Sequence, residues 1–140
     1  MEDRRRAAVA AIVVLLAGCG GGGRHVSDSD AARAAVVGFS KAFGTGNEKE
    51  ACGLLTDDAR AAFLERVQAL VPTKDCAVAM TKVHDEAGSD VTSAFESATV
   101  SNVRLKGSAA TATLTASGHS TTVGLLKQGG GWKLTGVPGV

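Results

Sequence analysis

Residues 109–116, AATATLTA, carry the clearest signal for the architecture of the chain. Its even positions hold Ala or Leu, and positions 111, 113 and 115 hold Thr. A period of two over these residues predicts a β-strand with one face covered and the other toward solvent. The turn sequences Lys106-Gly107-Ser108 and Ser117-Gly118-His119 flank it. Because short turns join antiparallel neighbours, we expect an antiparallel sheet built around this strand.

The same alternation extends over the C-terminal part of the chain. From about residue 98 the sequence is rich in Thr and Val and is punctuated by glycine. We predict four strands, at 98–105, 109–116, 120–127 and 132–137, with the third turn at 128–131. The residues before them show helical periodicity. The sequence therefore predicts an α+β fold, with about three N-terminal helices packed on one face of a four-stranded antiparallel sheet.

The first predicted helix runs from about Ser29 to Phe43. Ser27 and Ser29 are both possible N-caps, and Gly44 and Gly46 are expected to end the helix. Apolar residues recur at helical spacing and define one inward face: Ala32, Ala35, Val36, Phe39 and Phe43.

Further helical segments are expected before the sheet. Asn47, with Glu50 three residues later, is a variant of the capping box. The helix restarts at Thr56, and a last helix, capped by Thr73, extends to about His84. Inward positions are expected at these residues: Ala51, Cys52, Leu54, Leu55, Ala59, Phe63, Val67, Leu70, Cys76, Ala79, Met80 and Val83.

The N-terminus has the features of an export signal. Three arginines at positions 4–6 precede an apolar run of 11 residues, Ala7 to Ala17. That run is about half of what a membrane-spanning helix needs. It ends in Leu16-Ala17-Gly18-Cys19, which resembles the lipobox of bacterial lipoproteins. We therefore expect residues 1–18 to be a removed signal peptide and Cys19 to carry a diacylglyceryl lipid.

The residues after the expected cleavage point form a tether and one domain. Four glycines follow Cys19, and such a backbone is too free to hold one conformation cheaply. We assign 19–28 to a Gly-rich tether and 29–140 to a single domain. The mature chain would be held by lipid on the extracytoplasmic face of the bacterial cell membrane. It would carry 12 basic and 12 acidic residues, so no overall basic field predicts nucleic-acid binding.

Two cysteines remain once Cys19 is assigned to the lipid. Cys52 and Cys76 allow one connectivity, and outside the cytoplasm a disulfide can form and persist. Both positions lie on inward helical faces, which is compatible with contact. The alternative is two buried free thiols.

The sequence shows little that predicts catalysis. It has no Tyr, and the predicted sheet carries no Asp or Glu. The polar cluster His84-Asp85-Glu86 cannot converge on one ion because adjacent helical residues point apart. Three separated histidines do not make a zinc site. We predict no catalytic residue, cofactor or metal, and Glu65 and Glu96 are the carboxylates without an obvious capping role.

A resemblance to a known family adds to this interpretation. Helices followed by a sheet that ends in Gly-Gly-Gly-Trp-Lys-Leu resemble the NTF2-like, cystatin-like cone fold. The segments 51–56 and 75–79, with Gly46-Asn47 and the Trp132 strand, resemble small lipoproteins of high-GC Gram-positive bacteria. The resemblance implies a curved sheet. It also implies a cysteine pair that ties neighbouring helices together, and it names no activity.

Three functions remain open at this point. The first is a non-enzymatic envelope module that binds a small apolar ligand or an envelope protein partner. The second is an unusual NTF2-like enzyme, and the third is an accessory subunit without a pocket. A deep apolar cavity would favour ligand binding, whereas converging polar groups would favour an enzyme. We expect the aromatic residues to be core and not a ligand platform: Phe39, Phe43, Phe63, Phe95 and Trp132.

Replacing Cys19 by Ser is expected to release the protein from membranes. The lipid brings at least two acyl chains, which suffices for stable anchoring, and the Ser hydroxyl cannot replace the thiol. Intact mass should show residues 1–18 missing and a diacylglyceryl group on the parent protein. Fractionation of the Ser variant with the membranes, like the parent, would contradict the anchor.

Overall fold

The computed structural model describes residues 26–140, and in them four helices precede four strands. The predicted α+β class and helices-then-sheet order are confirmed, with four helices instead of about three. The elements are α1 (Asp28–Thr45), α2 (Glu48–Gly53), α3 (Asp57–Val67), α4 (Cys76–Glu96), β1 (Thr99–Lys106), β2 (Ala109–Ala116), β3 (His119–Gln128) and β4 (Gly131–Leu134).

The sheet is a meander in the order β1-β2-β3-β4, with every neighbouring pair antiparallel. It is curved and does not close. Ala110, Ala112 and Leu114 of β2 are buried, so the period of two does mark the covered face. At the β2–β3 turn Ser117 and Gly118 both have positive φ, 49° and 76°. Positive φ at both central residues is what a type I′ hairpin turn requires.

The free edge of β4 is covered by the connection between α2 and α3. The backbone N–H of Leu134 donates to the Leu54 carbonyl at 2.8 Å, and that of Thr56 donates to the Leu134 carbonyl at 2.9 Å. Pairing of this kind removes an exposed strand edge, which would otherwise be open to another chain.

Side-chain caps begin the helices at residues close to those predicted. Ser27, one of the two candidates, accepts from the Asp30 N–H at 3.1 Å and starts α1. Asn47 is the N-cap of α2, as predicted, with its side chain accepting from the Glu50 N–H at 3.4 Å and donating to Glu50 Oε2 at 2.7 Å. The reciprocal bond of a capping box is absent here, because the Asn47 N–H donates to the Ala42 carbonyl. Thr56 accepts from the Ala59 N–H at 3.0 Å and starts α3, as predicted.

The cap of α4 was predicted incorrectly. Asp75 is its N-cap and accepts from the Val78 N–H at 3.1 Å. Thr73, the predicted cap, accepts from the Asp75 N–H instead, so it orders the residue that does the capping. An ionised cap is also favoured by the positive end of the helix dipole.

The predicted inward position of Leu70 is also wrong. The helix α3 ends at Val67, and Leu70 lies in the turn that follows, 74% exposed. The helical periodicity that placed it inward no longer applies once the chain leaves the helix.

Helix α1 crosses the end of α4 at very short range. The Ser40 hydroxyl is buried and donates to the Phe95 carbonyl at 2.5 Å. One turn later, a Cβ added to Gly44 would lie 2.6 Å from the Glu96 backbone nitrogen and 2.7 Å from the Thr92 carbonyl oxygen. Gly44 was predicted to end α1, but the helix continues through it to Thr45. A glycine is needed at this position because a side chain would collide with the α4 backbone.

Gly46 is the residue that ends α1. It has φ 77° and donates to the carbonyls of Ala42 and Phe43. A left-handed glycine here satisfies carbonyls that the last turn leaves unpaired. The predicted stop at Gly46 is therefore confirmed.

Helix α4 extends well beyond the predicted end at His84. Gly88 has φ 81° and ψ 166°, so it breaks the helical path and a second segment continues to Glu96. That backbone region is open almost only to glycine. The spacing of Ala87, Val91 and Phe95, at i, i+4 and i+8, is the helical signal that the prediction overlooked.

A disulfide joins the end of α2 to the start of α4. Cys52 and Cys76 are bonded with their Cα atoms 6.1 Å apart. Cys52 is buried and Cys76 packs against the core, in keeping with the inward positions expected from the sequence. The link crosses 24 residues, a span that constrains the unfolded chain.

Non-reducing peptide mapping of the exported protein is expected to recover Cys52 and Cys76 in one linked peptide pair. Reduction should lower the free energy of unfolding by about 3–4 kcal/mol, because opening the loop restores chain entropy to the unfolded state. Urea unfolding with and without reductant measures this change. Two free thiols in freshly isolated protein would contradict the prediction.

Replacing Gly44 by Ala is expected to destabilise the protein by about 1–3 kcal/mol, because the new methyl group meets backbone atoms that cannot move aside alone. Gly53→Ala is the matched control, since a Cβ added there meets nothing within 4 Å. It should be neutral or stabilising by up to about 1 kcal/mol. Equal urea midpoints for the two variants would show that the crossing does not constrain the fold.

Candidate functional site

A pocket lies between the second segment of α4 and the end of the sheet at the β2–β3 turn. Its volume is about 360 Å³. The second segment of α4 forms one wall, and the inward face of β2 forms the opposite wall. Pro138 and Gly139 near the C-terminus form a third wall. The apolar groups are these: Val91, Ala94, Phe95, Leu114, Ala116 and Pro138. The surface that a bound molecule would meet is therefore mainly hydrocarbon.

Polar groups line the mouth of this pocket. Four of them come from the β2–β3 turn and the start of β3, namely Ser117, His119, Ser120 and Thr121, and Asp90 comes from α4. All five residues are exposed. The Thr115 and Ser120 hydroxyls are 2.7 Å apart, and this hydrogen bond lies on the outer face of the sheet, because Thr115 alternates with the inward residues Leu114 and Ala116. The Ser117 and Thr121 hydroxyls remain at the rim. The rim can thus donate and accept hydrogen bonds.

A smaller apolar space of about 130 Å³ adjoins the pocket. The two share Val91, Phe95, Pro138 and Gly139 as lining residues. The C-terminal segment 137–140 lies against both, and Arg66 of α3 donates a hydrogen bond to the Val140 carbonyl. This contact holds the segment in place as a wall common to both spaces.

The candidate carboxylates of the sequence analysis are not in the pocket. Glu65 on α3 and Glu96 at the end of α4 are both exposed, and neither lines the pocket. His119, predicted as a turn residue, begins β3 and lines the rim. The structure therefore does not bring either glutamate into the pocket beside this histidine.

The polar cluster at the middle of α4 has a structural explanation. The His84 ring packs edge-on against Phe43, with ring centroids 5.8 Å apart, and its side chain is 24% exposed. Its Nδ1 lies 3.4 Å from Asp85 Oδ1, a long contact. Glu86 instead pairs with Lys82 at 2.7 Å. These contacts point in different directions, as the helical geometry requires.

Four of the five aromatic residues are core, as predicted. Phe39, Phe43, Phe63 and Trp132 are each no more than 5% exposed. Phe95 differs, because it is only half-buried and lines both apolar spaces. The prediction that it is core and not part of a ligand surface is thus incomplete. The prediction missed it because the second segment of α4 was not assigned as a helix.

An ionic contact fastens the start of α1 to the far end of the sheet. Lys127 Nζ lies 2.8 Å from Asp28 Oδ1 and 5.4 Å from the centre of the Trp132 ring. The hydrogen bond from Lys127 lowers the pKa of the Asp28 carboxyl. Because both charged side chains are about half exposed, solvent screens the pair and its role is positional.

Within residues 26–140, no group of three or more His, Cys, Asp or Glu side chains could hold a metal ion. In the same part of the chain, no helix has the length and apolar character needed to cross a membrane. The predicted lipid attachment at Cys19, the signal peptide 1–18 and most of the tether lie outside the described residues. The predicted disulfide residues Cys52 and Cys76 lie away from the pocket and do not line it.

The comparisons with known proteins found no matching family model, no matching curated protein and no matching solved structure.

Proposed function

We propose that this chain is a membrane-anchored, extracytoplasmic domain that binds a small apolar molecule without transforming it. The observation that carries the proposal is the pocket between the second segment of α4 and the sheet, with its hydrocarbon walls. Its volume of about 360 Å³ lies at the lower end of the range of small-molecule sites. An accessory subunit without a pocket is correspondingly disfavoured.

The distribution of polar groups favours binding over catalysis. Proton transfer needs a group positioned against the substrate in a water-poor site. Asp90 and His119 lie instead at an exposed rim, while the interior offers carbon atoms. Burial of apolar surface, at about 25 cal/mol per Å², is then the main source of affinity. Rim hydroxyls would orient the polar end of a ligand.

The position of the pocket is suited to a lipid-anchored protein. The tether would enter the domain at Asp28, which pairs with Lys127 near one end of β3. The pocket lies at the other end of that strand, at His119. Eight residues of strand span about 27 Å. A lipid on Cys19 would thus attach at one end of the domain and leave the pocket mouth at the opposite end.

The fold supports the proposed NTF2-like relationship at the level of architecture. Helices cover one face of a curved, unclosed antiparallel sheet, and the pocket lies between that face and a helix. A shared fold does not imply a shared activity, so the proposal for function rests on the pocket alone.

A second candidate is recognition of an envelope protein through the surface formed by the α3–α4 connection and α4. Leu70 is 74% exposed and Val78 is 52% exposed. Two shallow hollows, which share Val71 and Lys82, lie beside them. Clustered apolar side chains of this kind are common in protein contact sites. This surface is separate from the pocket, so the two functions are compatible.

Titration with the neutral dye Nile red is expected to give a saturable fluorescence increase with the purified protein, because the dye would enter the apolar pocket. Ala94→Trp should abolish it by filling the pocket. Ala61→Trp is the matched control, since Ala61 is exposed on α3 away from the pocket. It should bind the dye like the parent.

Two outcomes would contradict the proposal. One is the absence of saturable binding to a parent protein whose circular dichroism shows it to be folded. The other is equal binding by the parent and Ala94→Trp. In the second case the dye would bind elsewhere, and the surface around Leu70 would be the place to examine, by Leu70→Ser.

A further inference from the structure

The mouth of the pocket, as residues 26–140 form it, carries a carboxylate and no permanent positive charge. Of the described residues that line the pocket, only Asp90 and His119 have ionisable side chains, and none is Lys or Arg. A ligand carboxylate or phosphate would thus meet no permanent positive charge in the lining. It would meet the Asp90 carboxylate.

Within residues 26–140, several acidic side chains have structural partners, whereas Asp90 has none. Asp75 caps α4, Asp57 and Glu86 form ion pairs, and Asp28 pairs with Lys127. In the described part of the chain, the Asp90 carboxylate makes no ion pair and no side-chain hydrogen bond. Its charge is therefore available to a bound molecule.

The kink at Gly88 determines where this carboxylate lies. Gly88 redirects the chain two residues before Asp90, and the new segment places Asp90 at the rim directly before the wall residue Val91. The carboxylate and the hydrocarbon wall are thus adjacent along the same helical segment. A molecule lying against Val91, Ala94 and Phe95 would have its outer end near Asp90.

We propose that the pocket selects apolar molecules that end in a protonated amine and discriminates against those that end in a carboxylate. This rests on the proposed function, since it names the class of ligand for the same pocket. The ammonium pairs with Asp90, and its remaining N–H groups donate to the rim hydroxyls of Ser117 or Thr121. The hydrocarbon part fills the space lined by Leu114 and Phe95.

The discrimination has two sources. Attraction to Asp90 strengthens amine binding, and repulsion from the same carboxylate weakens binding of an acid of equal length. Each effect is modest at an exposed rim, a factor of about 2–5, but the two act in opposite directions on the two ligands. We therefore expect the amine to bind about tenfold more tightly than the acid. A neutral alcohol should fall between them.

The test compares octylamine, octanol and octanoate with the full-length Cys19→Ser protein at neutral pH and low salt. Chemical-shift changes of the methyl groups of Ala94, Leu114 and Ala116 in two-dimensional NMR report dissociation constants and locate the site. High salt should reduce the difference between amine and acid, because it screens the rim charge.

Asp90→Asn is expected to reduce the amine-to-acid ratio from about tenfold to below about twofold, while octanol binding stays unchanged. Asp85→Asn is the matched control, because Asp85 lies on the same helix outside this pocket and should leave the ratio unchanged. Ala94→Trp and Ala116→Phe are two independent ways to fill the pocket, and either should abolish the shifts with all three ligands.

The outcomes separate the two proposals. Equal affinities of amine and acid for the parent, with shifts at the pocket methyl groups, would overturn the charge selection and leave the binding function intact. Tighter binding of octanoate would do the same. No shifts with any of the three ligands would overturn the binding function itself. A preference that survives in Asp90→Asn would show that this carboxylate is not its source.

Discussion

The close crossing of α1 over the end of α4 is the contact on which the rest of the structure depends. Ser40 and Gly44 are one turn apart on α1, and together they bring its backbone against the last turn of α4. The Ser40 hydroxyl donates to the Phe95 carbonyl, and the missing side chain of Gly44 allows the close approach. Since Phe95 both accepts this hydrogen bond and lines the pocket, the crossing also positions a pocket wall.

Helix α4 is held at both ends and interrupted between them. The disulfide of Cys76 fastens its start to α2, and the crossing fastens its end to α1. Gly88 lies between these two points in a conformation that other residues avoid. The kink changes the direction of the helix, and the second segment lines the pocket opposite Leu114 and Ala116. The pocket exists because that segment covers the end of β2 without filling the space beneath it.

The domain therefore has two distinct ends. At one, Lys127 fastens the start of α1 to the sheet beside Trp132, and the chain that leads to Cys19 begins there. At the other, the β2–β3 turn and Asp90 surround an apolar opening. The length of β3 separates these two ends. The proposed lipid anchor and the proposed binding site would thus lie at opposite ends of the domain.

Although the last strand ends at Leu134 and not at 137, the class of fold, the first three strands, the inward faces of α1 and α3, and the caps at Asn47 and Thr56 could be predicted from the sequence. These follow from local rules, because periodicity and capping involve residues within a few positions of one another. The role of Gly44 and the existence of the pocket depend on tertiary contacts, whereas the second segment of α4 had a local signal that the prediction overlooked. Gly44 looks like a helix stop until its neighbour Glu96, far along the chain, is in place. Likewise, Asp90 becomes a candidate site residue only when folding brings it beside Leu114 and His119, because a pocket is made by contacts between distant segments.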